Sequence, residues 1–181
     1  MSHNVLNDFE FKEKVSDELI KKYKNVLPEE IISLWKEKGF GVFYGGYLKV
    51  INPDEYIELV QKSYFQGDVS VPIFATAFGD ILTWEENQYV GILKYRYNEC
   101  DIISDGFEFF YDIINSEVCA AEYFTIKEYN EAVEKYGRLA YDECFGYVPL
   151  LALGGKESVD NLKKVKMKEH IELIYNMVGE I

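Results

Sequence analysis

Pro72-Ile73-Phe74-Ala75-Thr76-Ala77-Phe78-Gly79-Asp80-Ile81-Leu82-Thr83-Trp84-Glu85-Glu86-Asn87-Gln88-Tyr89-Val90-Gly91-Ile92-Leu93-Lys94-Tyr95 is the stretch that decides the fold. Its apolar and β-branched runs are broken only by short turns. Pro72 to Phe78 reads as a strand, Gly79-Asp80 as a tight turn and Ile81 to Trp84 as a second strand. Glu85-Glu86-Asn87 turns the chain again into a third strand, Tyr89 to Tyr95. A short further strand fits Cys100 to Ile103. The connections are too short for crossover helices, so the strands form an antiparallel meander.

Upstream, Phe40 to Phe43 and Tyr47 to Ile51 read as a hairpin turned by Gly45-Gly46. Three helices flank it. Phe11, Val15 and Leu19 recur every four residues and predict a helix from Phe9 to Tyr23. Leu27-Pro28-Glu29-Glu30 opens a second helix that buries Ile31, Leu34 and Trp35, because proline and acids suit a helix N-terminus. Asn52-Pro53-Asp54-Glu55 caps a third, running to about Gln61. Downstream of Asp105-Gly106, Phe107, Phe110, Tyr111 and Ile114 mark a helix. Thr125-Ile126-Lys127-Glu128 caps another, with Tyr129, Val133 and Tyr136 on its stripe and Gly137 at its end. Cys144 to Leu153 reads as extended, and a last helix runs from about Met167 to Val178. The expected class is α+β: an antiparallel sheet flanked by N-terminal helices, with a small helical C-terminal lobe packed on it. The expected domains are residues 1–105 and 106–181, closely packed.

Composition narrows the function. The 181 residues carry 32 acids against 19 Lys and Arg, a formal net charge of -13, spread along hydrophobic segments rather than held in a tail. With 48% hydrophobic and 16% aromatic residues the chain can fill a core, which excludes the disordered class. Such a coat repels nucleic acid and anionic lipid and attracts basic proteins. No apolar run approaches a membrane span, and Met1 to Phe11 has no signal-peptide pattern. Cys100, Cys119 and Cys144 are odd in number and widely spaced. A reducing, cytoplasmic setting follows.

No complete catalytic, cofactor or metal set is present. Gly39-Phe40-Gly41 follows a helix and leads into a strand, the reverse of the order a dinucleotide fingerprint needs. Gly154-Gly155-Lys156-Glu157-Ser158 is a turn rather than a phosphate loop. His3 and His170 are the two histidines. Glu169-His170-Ile171-Glu172 lacks the second histidine of a zincin, and a Cys100–Cys144–His170 site could assemble only by tertiary chance. Carboxylate pairs such as Glu85-Glu86, Asp101/Asp105 and Asp142-Glu143 are expected in so acidic a chain and carry little chemical information. The basic patch from Lys156 to Lys168 would have to bind RNA against the field of the whole protein.

Several blocks carry a family resemblance. Pro28-Glu29-Glu30 through Trp35, Gly39-Phe40-Gly41 and the strand–helix from Tyr47 to Tyr56 resemble the opening of the GAD-like domain. Phe78-Gly79-Asp80-Ile81-Leu82-Thr83-Trp84 resembles its central hairpin, which is similar to one in the Smi1/Knr4-like immunity superfamily. Asp142-Glu143-Cys144-Phe145-Gly146-Tyr147-Val148-Pro149-Leu150-Leu151-Ala152-Leu153-Gly154-Gly155, with the Val165 to Gly179 tail, resembles the C-terminal domain of type VI secretion DNase-immunity proteins. The resemblance implies a non-enzymatic, cofactor-free immunity protein that neutralises a cognate toxin, in the best-known branch a DNase. A basic nuclease cleft also suits a partner of charge -13. The expected partner is therefore a basic toxin. The alternatives are an enzyme using cleft carboxylates on a small molecule, or a regulatory or scaffold binder. Physics alone places the expected contacts on turn and loop acids, because loops on a rigid sheet carry recognition. Those acids are Asp80, Glu85, Glu86, Asp101, Asp105, Asp142 and Glu143.

Overall fold

The computed structural model describes residues 6–181. The meander is present and larger than expected. Strands β1 (Glu10–Glu13), β2 (Phe40–Phe43), β3 (Leu48–Val50), β4 (Ser70–Thr76), β5 (Ile81–Glu85), β6 (Tyr89–Lys94) and β7 (Glu99–Asp105) form one seven-stranded antiparallel sheet in chain order. Strands β8 (Glu143–Tyr147) and β9 (Leu162–Lys166) pair separately.

Alternation along the strands divides the core into two layers. One face of the sheet presents Leu48, Phe74, Leu82, Trp84, Val90 and Ile92. It is covered by α1 (Asp17–Tyr23), α2 (Glu29–Glu37), α4 (Glu108–Asn115), α5 (Glu117–Tyr123) and α6 (Ile126–Tyr136). The other face presents Ala75, Ile81 and Leu93 to α3 (Pro53–Ser63) and α7 (Met167–Val178). Both faces are covered, so β4 and β5 are buried almost throughout.

The N-terminal expectation needs correction. The predicted helix from Phe9 is instead a strand followed by a short helix. Phe11 lies opposite Gly41 in the sheet and is 65% exposed. Gly41 has no side chain to meet Phe9, whose ring lies where a Cβ would stand. The helix begins at Ser16, whose hydroxyl accepts from the Leu19 amide. Val15, Leu19 and Tyr23 of the stripe are buried, and Ile20 packs partly buried against the same core. Helix α2 starts one residue later than a proline at its first position implies, since Pro28 is the N-cap, and Ile31, Leu34 and Trp35 are buried as expected. Asn52 caps α3 through the Asp54 amide.

In the C-terminal region α5 joins the helices expected from the stripes, and α7 keeps its expected bounds. Thr125 caps no helix with its side chain. Its hydroxyl accepts from Arg96 Nη2 at 3.2 Å, and its amide donates to the Tyr47 hydroxyl at 3.1 Å. Tyr47 is fully buried among the rings of Tyr44, Phe78, Phe124 and Tyr129. Phe145 packs on Phe78, Tyr129 and Tyr136. These rings join the meander to the C-terminal elements as one aromatic core.

Removing such a joint leaves a cavity that rigid neighbours cannot fill. Phe145→Ala is expected to lower stability by about 3–5 kcal/mol. Urea unfolding checks this: the midpoint should fall with the slope unchanged.

Candidate functional site

The seven carboxylates singled out above do not gather into one cluster. Asp80 and Glu85 are interior, at 0% and 2% exposure, which corrects their expected place on the surface. Asp80 closes the β4–β5 turn. Its Oδ2 accepts from the Thr76 hydroxyl at 2.9 Å and pairs with Arg96 Nη2 at 3.2 Å. Thr76 Oγ1 in turn accepts from the amides of Phe78 and Asp80. The Arg96 guanidinium lies 4.3 Å from the Phe78 ring centroid. Hydrogen-bonded turn chemistry and a buried countercharge thus draw Asp80 inward.

The same turn receives the C-terminal hairpin. The Phe145 amide donates to the Ala77 carbonyl at 2.7 Å. Gly79, at φ +77°, leaves room for Cys144 Sγ, which would stand 3.3 Å from any Cβ added there. The two sequence blocks Phe78–Trp84 and Asp142–Gly155 therefore interlock.

Glu85 bends back over Gly91, whose missing Cβ makes room for Oε1. It accepts from the Thr83 hydroxyl at 2.6 Å and the Tyr64 hydroxyl at 3.3 Å. Burial pushes its carboxyl above the usual range, and the two hydrogen bonds oppose that rise.

The other five acids sit nearer the surface. Glu86 occupies the β5–β6 turn at φ 52°. Asp105 lies opposite Tyr89 and accepts from Gln88 at 3.0 Å, so Glu86 and Asp105 share one end of the sheet. Asp101 stands on the edge strand opposite Ile92. Asp142 and Glu143 lie with the C-terminal hairpin, next to the β4–β5 turn and away from that end. Asp142 pairs with Lys166, both side chains being exposed, so water screens the pair and it adds little to stability. The Glu143 carboxylate accepts from the Ala140 amide at 2.9 Å.

Two interior cations carried no clear sequence signal. Arg96 is one. Lys49 is the other: buried in β3, it donates to the carbonyls of Ala140, Tyr141 and Glu143. Burial pulls its ammonium down to about 8. Both tie the sheet to the C-terminal segment, and both needed tertiary structure to be seen. A different signal was legible but missed. Residues 97–126 hold seven acids and no Lys, Arg or His. Restricting attention to turns and loops left out the helical members Glu108, Asp112, Glu117 and Glu122. All seven are exposed.

A groove of about 760 Å³ opens between α5, α6 and the β2–β3 turn. Tyr44, Ile114, Ala120, Phe124 and Tyr129 line it, with Glu117, Lys127 and Glu128 at its polar positions. Glu85, the carboxyl raised by burial, is sealed under Tyr64 and does not line this groove. Among the described residues no group of three His, Cys, Asp or Glu could hold a metal ion. Cys100 is exposed and Cys144 buried, and His3 lies outside the described residues. Among those residues no helix is long and apolar enough to cross a membrane.

Residues 2–95 match the GAD-like domain. Residues 104–178 match the C-terminal domain of the T6SS immunity protein Tdi1. No curated protein matches the chain. The crystal structure of Atu4351 from Agrobacterium tumefaciens is similar over 96% of this chain and 88% of that one, with a TM-score of 0.78 and 18% identity. At that identity the likeness speaks for the fold alone.

Two stability effects follow from the interior carboxylates. Asp80→Ala strands Arg96 in the core and is expected to cost about 3–5 kcal/mol, whereas Asp80→Leu combined with Arg96→Met costs less than either single change; chemical denaturation of all four variants checks this. The raised Glu85 pKa means that the folded state holds its proton to higher pH than the unfolded state. Its contribution to stability is full below the unfolded pKa and is lost as pH rises through the folded pKa. Glu85→Gln is therefore expected to melt higher than the parent at neutral pH, with the gap closing towards about pH 4, near the ordinary carboxylate range.

Proposed function

We propose that this chain, which belongs to the GAD-like family, is a type VI secretion immunity protein that binds and neutralises a cognate toxin. The observation that carries this reading is the match of residues 104–178 to the C-terminal domain of the T6SS immunity protein Tdi1. We divide the chain for this purpose into a GAD-like part, 1–105, and an immunity-protein part, 106–181. The interlocked Phe78 turn and Phe145 strand support their acting as one rigid body.

We take the toxin to be basic, and a nuclease that acts on DNA. A nuclease must offer a cationic cleft to phosphate, and a partner of charge -13 is suited to cover it. On this reading no cofactor, nucleic acid or membrane takes part, and the encounter occurs in the cytoplasm. The protein acts by occupying the cleft rather than by chemistry. The placement of Glu85 favours this over catalysis by cleft carboxylates, since the perturbed acid is sealed from the groove. Glu86, Asp101, Asp105, Asp142 and Glu143 lie at separate places on the surface, so in this proposal they add to the long-range attraction rather than form one contact patch. Asp80 and Glu85 act through the scaffold instead.

The test uses the product of the gene beside this chain's own. Co-expression should rescue cells that this product kills, and the purified pair should bind. The association rate should fall about tenfold or more between about 0.05 and 0.5 M salt, because steering between opposite fields is screened. A salt-independent rate would remove the electrostatic part of the reading. Failure to bind or rescue would remove all of it.

A further inference from the structure

We propose that the toxin is held chiefly by the α5–α6 groove and the outer side of α4 and α5, which take a basic, amphipathic segment with its apolar side chains in the groove and its Lys or Arg side chains on the surrounding acids. This rests on the immunity reading and assigns its surface.

The groove floor is apolar and aromatic: Ile114, Ala120 and Phe124, flanked by Tyr44 and Tyr129. It is an open groove of about 760 Å³. One wall is preorganised. Tyr44 sits at φ 56° in the β2–β3 turn, and the Asp8 carboxylate accepts from the amides of Tyr44 and Gly45. The Tyr129 hydroxyl donates to the Gly45 carbonyl at 3.1 Å. A wall fixed before binding loses little entropy on binding. Outside the groove, Val118 is 84% and Phe109 53% exposed.

Charge selects the occupant. The seven acids of residues 97–126 supply seven of the net thirteen negative charges, since that stretch has no base. None of the seven is in an ion pair among the described residues. Glu117 and Glu128 stand at the groove itself, against the single base Lys127. Burial and then Glu117 raise the Tyr44 phenol, and burial, then Glu122 and Asp101, raise that of Tyr123. These carboxylates therefore act on the surface they flank. A second copy of this chain would bring the same charges against them, and nucleic acid or anionic lipid would be repelled. A cationic segment with apolar side chains satisfies both groove and rim. The arrangement follows the usual division of labour, with central anchors holding the complex and rim charges guiding the approach.

The experiment pairs the full chain with the neighbouring gene's product, inactivated at its catalytic site. Ala121→Trp fills the groove from an exposed position. Glu117→Lys/Glu122→Lys reverses the rim, and Glu18→Lys/Glu58→Lys makes the same change in net charge on α1 and α3. Melting temperatures confirm that each variant folds. Ala121→Trp should weaken binding about tenfold or more, mainly through faster dissociation. The rim reversal should slow association about tenfold, and the distant reversal about threefold or less. Hydrogen exchange in the complex should protect residues 114–130. Binding of the parent with protection elsewhere, or equal effects of the two reversals, overturns this assignment and leaves the immunity reading standing. A dimer of the parent chain that Ala121→Trp dissociates also overturns it, because the occupant is then a second copy. No binding by the parent defeats the immunity reading and this inference together.

Discussion

A guanidinium in the core needs a countercharge, and Arg96 Nη2 finds its partners in separate parts of the chain, while Arg96 Nε and Asp80 Oδ1 are buried without a hydrogen-bond partner among the described residues. Asp80 supplies the countercharge, Phe78 a ring face and Thr125 a hydroxyl. An unmatched buried charge would cost more than the hairpin turn could offset. The pairing thus sets where the β4–β5 turn sits, where α6 begins and how the C-terminal hairpin meets Ala77. Lys49 repeats the principle on a neighbouring strand, using backbone carbonyls in place of a carboxylate. Two cations inside a strongly acidic protein act as internal ties, while most of its acids face water.

The meander was readable because its turns and apolar runs are local signals. So were the third helix with its Asn52 cap and the last helix from Met167 to Val178. The failures share a cause. Phe11 falls on a helical stripe with Val15 and Leu19, yet Gly41 on the neighbouring strand offers it a place in the sheet, and strand pairing outweighs local periodicity. Thr125 has the pattern of a cap, but Arg96 takes its hydroxyl. Asp80 and Glu85 look like solvent-facing turn acids until Arg96, Thr83 and Tyr64 are brought beside them. Each miss needed knowledge of a partner distant in sequence. The base-free run of acids did not, and a charge profile along the chain reveals it.

The family resemblance and the physical reading meet in the molecule. The blocks that resemble a GAD-like hairpin and an immunity-protein C-terminal domain are the two halves of one joint, Phe78 against Phe145 and Gly79 against Cys144. A joint of this kind transmits rigidity to α5 and α6, which hang from the same aromatic core through Phe124 and Tyr129. The proposed inhibitor role is suited to that stiffness, because a surface that does not reorganise loses less contact energy to ordering itself.

The outer strand β7 has one side unpaired with any other strand of the sheet. Such a border is a template for stacking into fibres. Here Glu99, Asp101 and Asp105 punctuate it, the pairing with β6 slips between Val90 and Gly91, and the Asp101 carboxylate accepts from the Ile102 amide. Two molecules meeting border to border would find mismatched spacing, mutual repulsion and an amide already engaged. The charged, irregular β7 border is thus a poor template for a second molecule's strand.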